Sequence, residues 1–115
     1  MTSTETGRKA EMAAKVYLEM RGFEIVEQNF RRPRCEIDII ARKNGIIQFV
    51  EVKYYKNYDQ GGGSDAITIT KLNQMRRGAT IWMEESKWQK GYLLSAVEVA
   101  GTDFQIMSFL EDLLY

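Results

Sequence analysis

Four charged side chains in two short β-rich runs define the chemistry open to this chain: Glu36 and Asp38 in Glu36-Ile37-Asp38-Ile39-Ile40-Ala41, then Glu51 and Lys53 in Ile47-Gln48-Phe49-Val50-Glu51-Val52-Lys53. Lys43-Asn44-Gly45 separates the runs, and Asn-Gly is the preferred pair for a two-residue type I′ turn, so a β-hairpin is expected. With Asn44 and Gly45 as the loop, Lys43 faces Ile46, Asp38 lies opposite Glu51, and Glu36 lies opposite Lys53. A period of two then gathers the four charges on one face and Ile37, Ile39, Val50 and Val52 on the other.

Opposed carboxylates whose Cβ atoms lie about 4.5 to 5.5 Å apart destabilise a hairpin unless a cation sits between them. Mg²⁺ or Mn²⁺ is the expected cation, because hard divalent ions take oxygen ligands and keep several waters. Asp38, Glu51, a backbone carbonyl and a substrate phosphate could complete such a site. Lys53 would orient or deprotonate the attacking water, or stabilise charge building on the phosphate. That is phosphodiester hydrolysis. Spacing alone is equally compatible with a solvated sheet face, in which Glu36 pairs with Lys53 while Asp38 and Glu51 tolerate each other. The apolar neighbours Ile47, Phe49, Val50 and Val52 speak for a strand covered on both faces, where charges need a reason.

Composition narrows the classes. A chain of 115 residues, 44% hydrophobic, holds one core, so residues 1–115 are expected to form a single domain. Histidine is absent, which removes the usual general base and the commonest transition-metal ligand, leaving carboxylates, lysine and hydroxyls. The lone Cys35 can form neither an internal disulfide nor a zinc cluster, so a reducing, cytoplasmic setting is expected. Without histidine to activate it, Cys35 reads as a small strand residue and not a nucleophile. Met1 to Lys9 lacks the apolar core of a secretory signal, and no apolar run approaches the roughly 18 residues of a membrane span, so no membrane partner is expected. Residues 1–77 carry 14 Lys/Arg against 10 Asp/Glu and residues 78–115 carry 2 against 6, a lopsidedness compatible with a nucleic-acid face and equally with an ordinary mixed surface.

Around the hairpin, other elements can be placed. Ala10, Ala13, Ala14, Tyr17 and Leu18 make one helix face between Thr6 and Arg21, with Gly22 as the stop. Glu11 borders that buried stripe. Phe23 to Gln28 reads as a first strand ending at Asn29, followed by a basic loop of Arg31, Arg32, Pro33 and Arg34. A second helix is expected after Thr70 as cap, with Leu72, Met75, Ala79, Trp82 and Met83 on its apolar side. Tyr92 to Val99 and Phe104 to Phe109 read as strands joined at Ala100-Gly101, and Ser108 to Glu111 could open a short terminal helix. The order is α-β-β-β-α-β with a β/α tail, an α/β fold.

Arg31, Arg32 and Arg34 could contact a phosphate backbone without reading sequence, and a solvated turn fits them equally. Lys71, near the start of the second helix, reads slightly better as a phosphate contact than as a solvated first-turn residue. Gly61-Gly62-Gly63 follows Tyr54, Tyr55 and Tyr58, and could form a flap whose aromatics stack on splayed bases, or a plain surface loop. Trp82, Met83 and Trp88 are expected in the core, while Leu110, Leu113, Leu114 and Tyr115 pack on the sheet or on a second copy in a homodimer.

The E-I-D block at Glu36 to Asp38 and the E-V-K block at Glu51 to Lys53 together resemble the signature of the YraN-like proteins, which look like PD-(D/E)XK nucleases. The likeness extends from Gly7-Arg8-Lys9-Ala10-Glu11 through Asn29-Phe30-Arg31 to Lys71 and Ala79. It implies a restriction-endonuclease-like fold, a central mixed sheet flanked by helices, with Asp38 and Glu51 holding metal, Lys53 as catalytic lysine and Glu11 as an additional acidic ligand. Those relatives resemble Holliday-junction resolvases in fold, a resemblance that implies DNA, branched forms included, as the expected substrate. The chain differs from the family pattern at Cys35, where glycine is usual, at Tyr55, where arginine is usual, and at Ser95, where aspartate is common. None of these is a metal ligand, but the change at Tyr55 bears on phosphate contacts. The expected activity is therefore Mg²⁺- or Mn²⁺-dependent endonuclease cleavage of DNA, with a non-cleaving module that binds nucleic acid or protein as the alternative.

Overall fold

The fold, taken from a computed structural model, is described over residues 1–58 and 67–113. Its elements run α1 (Ser3–Met20), β1 (Glu24–Arg32), β2 (Cys35–Lys43), β3 (Ile46–Tyr55), α2 (Ile69–Ser86), β4 (Tyr92–Ala100) and β5 (Gln105–Leu110). The strands lie in the order β1-β2-β3-β4-β5. All neighbours are antiparallel except β3 and β4, whose parallel pairing requires the long crossover that carries α2. The expected α/β arrangement is therefore present, extended by the fifth strand.

One helix covers each face. Ala10, Ala14 and Leu18 of α1 pack on Ile39, Ala41, Val50, Val97 and Val99. Leu72, Met75, Ala79 and Trp82 of α2 pack on Ile37, Ile40, Ile47, Phe49 and Leu94. With both faces covered, β3 is nearly all apolar, which sets apart the acid it carries. Close contact between α2 and β2 depends on Gly78: a Cβ there would stand 3.0 Å from Ile37 Cδ1 and Cγ1. Among the described residues, no helix is long and apolar enough to cross a membrane.

Several boundaries differ from expectation. The first helix begins at Ser3 and not Thr6, because the Thr2 hydroxyl accepts the Glu5 amide at 3.1 Å. Thr68, not Thr70, caps α2, accepting the Lys71 amide at 3.1 Å. β1 does not stop at Asn29. That residue takes a left-handed φ of 53°, and the strand resumes through Arg32, which pairs with Cys35. The basic loop therefore shrinks to Pro33 and Arg34, while Arg31 and Arg32 belong to the strand. No helix opens at Ser108 among the described residues. Its hydroxyl turns to Glu98 instead, and the chain continues beside β4, with the Leu113 amide donating to the Leu94 carbonyl at 2.7 Å. The Gly61 to Gly63 run and the terminal Leu114 and Tyr115 lie outside the described residues.

Candidate functional site

The β2–β3 hairpin has the expected register, running from Ile39 opposite Val50 to Lys43 opposite Ile46. Both turn residues have positive φ, 55° at Asn44 and 76° at Gly45, as a type I′ turn requires. At its open end, however, the ladder stops one step short of Asp38 and Glu51. Asp38 Oδ2 accepts the Val52 amide at 2.8 Å, so a side chain replaces the carbonyl there. Strand alternation also breaks at Asp38: Ile37 joins Ile40 on the α2 face, while Ile39 packs under α1. The expected grouping of Ile37 with Ile39 is thus corrected. On β1 the left-handed Asn29 falls at the same step, between the Gln28–Ile39 and Phe30–Ile37 pairs. The expected Glu36–Lys53 pairing also does not form. With the β2–β3 ladder ended, Glu36 pairs across β1, accepting from Arg31 Nε at 3.2 Å.

Glu51 is only 6% exposed. Burial, reinforced by the charge of Asp38 and a hydrogen bond shared with it, pushes the Glu51 carboxyl up to about 8. Two ammonium groups pull the other way, Lys71 Nζ at 3.4 Å and Lys53 Nζ at 4.0 Å from Glu51 Oε2, but do not prevail. The Glu51 carboxyl thus holds its proton more tightly than an exposed glutamate does. Sequence reasoning put Lys71 on the nucleic-acid surface. Its ammonium also lies closer to Glu51 than that of Lys53 does. Glu11 also titrates high, through burial and the charges of Asp38 and Glu36, moderated by a hydrogen bond with Asn29 and by Arg31.

A buried carboxyl hydrogen-bonded to a half-buried one suits a hard cation, which would take the proton's place between oxygens. Among the described residues, no three acidic or sulfur side chains converge on one point. Two carboxylates would leave most of such an ion's coordination positions to water and substrate oxygen.

Arg31, Arg32, Arg34 and Lys71 line one shallow groove together with Cys35, Glu36 and Gln74. They are not equivalent. Arg31 is taken by Glu36. Arg32 forks onto Glu85 through Nε at 2.9 Å and a terminal nitrogen at 2.5 Å, with its guanidinium over the Phe30 ring. The Tyr55 hydroxyl donates to Glu98 Oε2 at 3.1 Å. Tyr54 bonds the Gly101 carbonyl and stacks on Phe104, and the Tyr58 hydroxyl bonds Asp103, so these rings anchor the β4–β5 turn.

Glu98, which sequence reasoning passed over, is 2% exposed and held by Tyr55 and by the Ser108 hydroxyl at 2.6 Å. A single acid inside Ala96-Val97-Glu98-Val99-Ala100 was its signal. Arg77 was also passed over. Its Nε donates to the Pro33 carbonyl at 3.2 Å, tying α2 to the β1–β2 turn.

Comparison with known proteins places these residues in a wider set. A family model described as "Uncharacterised protein family UPF0102" matches residues 10–107. A UPF0102 protein of Shewanella loihica is 34% identical over 108 residues, covering 91% of this chain and 95% of the relative. One from Helicobacter pylori is 36% identical over 103 residues, covering 90% and 88%. One from Desulforapulum autotrophicum is 40% identical over 79 residues, covering 69% of this chain and 65% of the relative's length.

Proposed function

The chain belongs to the family UPF0102, and from that premise we propose that it is a divalent-metal-dependent endonuclease of the PD-(D/E)XK type, hydrolysing DNA phosphodiesters, branched structures included. The observation that supports this reading best is the buried Glu51 carboxylate, set beside Asp38 and two ammonium groups at the open end of a hairpin. A merely structural sheet gains nothing from burying Glu51 beside a second acid, since neighbouring acids oppose folding.

Asp38 and Glu51 would hold Mg²⁺ or Mn²⁺, and Glu11 would add negative charge at the border of the site. The ion would supply Lewis-acid stabilisation of the phosphoryl group and a water of lowered pKa. Asp38 is kept in place by the Val52 amide while its carboxylate also bonds Glu51, the contact an ion would replace. Lys53 and Lys71 would neutralise the charge that develops on phosphate oxygens, and Lys53 would orient the attacking water.

The test is cleavage of labelled duplex, single-stranded and branched DNA by purified protein with Mn²⁺. Asp38→Asn and Lys53→Ala should each remove cutting while the chain stays folded. Parental rates in both variants would overturn the assignment. A second reading, a nuclease-fold module that binds nucleic acid or protein without cutting, draws support from Tyr55, whose hydroxyl is turned to Glu98 at a position where the resembled family carries arginine. Failure to bind Mn²⁺ at millimolar concentration, with salt-sensitive DNA binding retained, would favour it.

A further inference from the structure

The turn between β1 and β2 faces the opening turns of α2 across a groove lined by Arg34, Thr70, Asn73, Gln74 and Arg77. Through Arg34 and Gln74 it continues into the groove that Lys71 lines, and Lys71 reaches Glu51. From Ile69 onward α2 carries Lys71, Arg76 and Arg77 and no acid before Glu84. The acid in the adjoining groove, Glu36, is ion-paired with Arg31. Arg34, Lys71 and Arg77 thus line a channel that has no unpaired acid among the described residues, and Lys71 links it to Glu51.

The backbone supplies a second sign. Arg34 has a φ of 63° in a two-residue turn, where glycine or asparagine fits without strain and a long side chain does not. Strain at such a position is kept where a side chain is needed. Among the described residues, the Arg34 guanidinium has no hydrogen bond or ion pair, and Arg77 commits only Nε, to Pro33. Arg31 and Arg32, by contrast, are spent on Glu36 and Glu85.

We propose that this groove carries the sugar–phosphate backbone of DNA toward the acid pair, with Arg34 and Arg77 as its phosphate contacts and the Asn73 and Gln74 amides beside them. The inference rests on the nuclease reading for the identity of the ligand, but the binding itself needs neither metal nor cleavage. Contacts of this kind position a strand without reading its sequence.

The test is fluorescence anisotropy of a short labelled duplex with the full chain in chelator, across a salt series. Arg34→Gly and Arg77→Gln should each make the slope of log K against log salt shallower by about 0.9. Arg34→Gly should not lower the melting temperature, which separates lost contact from lost fold. Lys90→Ala, on the loop beside the opposite end of β3, should leave the slope unchanged. An unchanged slope in the Arg34→Gly/Arg77→Gln double variant, or no DNA binding by the parent, overturns the groove. A parent that cuts DNA while the double variant keeps its slope refutes the groove and leaves the nuclease standing. A slope that falls in a protein that never cuts does the reverse.

Discussion

Asp38 Oδ2 takes the amide proton of Val52 at 2.8 Å, at the step where the β2–β3 ladder ends. One carboxylate thus closes the strand pairing and forms half of the acid pair. The two roles separate by substitution. Asp38→Asn keeps an acceptor for Val52 and should retain most of the stability, whereas Asp38→Ala orphans that amide and should lose about 1–3 kcal/mol in urea unfolding. Hydrogen exchange at Val52 should quicken in the alanine variant alone. Equal stability of the two variants would mean that water replaces the carboxylate.

Stability should depend on pH through Glu51. Its carboxyl lies near 8 in the fold against an ordinary 4.5, so the folded state holds the proton more tightly than the unfolded chain does. The contribution is complete below 4.5 and is lost as pH rises through about 8. Metal-free protein should melt lower at alkaline than at mildly acidic pH, and Glu51→Gln should flatten that part of the profile. Mn²⁺ must displace the same proton, so its affinity should rise across this window with proton release measurable by calorimetry. Lys71→Met, which removes an ammonium that favours ionised Glu51, should move both curves to higher pH.

Gly78→Ala sets helix propensity against crowding. Alanine favours a helix interior by roughly 0.5–1 kcal/mol, but its Cβ would meet the buried Ile37 at 3.0 Å. Overpacking of a filled core costs about 1–3 kcal/mol, so a net loss near 1 kcal/mol is expected in thermal unfolding. Adding Ile37→Val, which removes Cδ1, should restore part of it.

Of the two threonines at the start of α2, Thr68 caps the helix and Thr70 lies within its first turn. Thr68→Ala should therefore destabilise by about 1 kcal/mol and Thr70→Ala by much less. Circular dichroism during denaturant titration distinguishes them.

What the residue pattern revealed, and what it hid, follows from range. Asn44-Gly45 encodes a local geometry, so the pairing of β2 with β3 was legible to the residue. The early end of that pairing was not, because it falls where Asn29 is left-handed in the neighbouring strand and Asp38 bonds the Val52 amide. Arg31 and Arg32 resemble loop residues in sequence, and only pairing with Glu36 and Cys35 makes them strand. Lys71 could be assigned to a helix start, but its nearness to Glu51 is set by how α2 docks, a tertiary fact with no short-range signature. Glu98 was visible as an acid among apolar neighbours, while its partners Tyr55 and Ser108 come from two other strands.

The parallel pairing of β3 with β4 imposes an order of assembly. Asp38 and Glu51 meet across a tight turn, a short-range closure, whereas Lys71 arrives only when the crossover helix docks. A hairpin closed before the helix docks would hold its two acids without the Lys71 ammonium and without the burial that raises Glu51, so docking brings both opposing influences to that carboxyl at once.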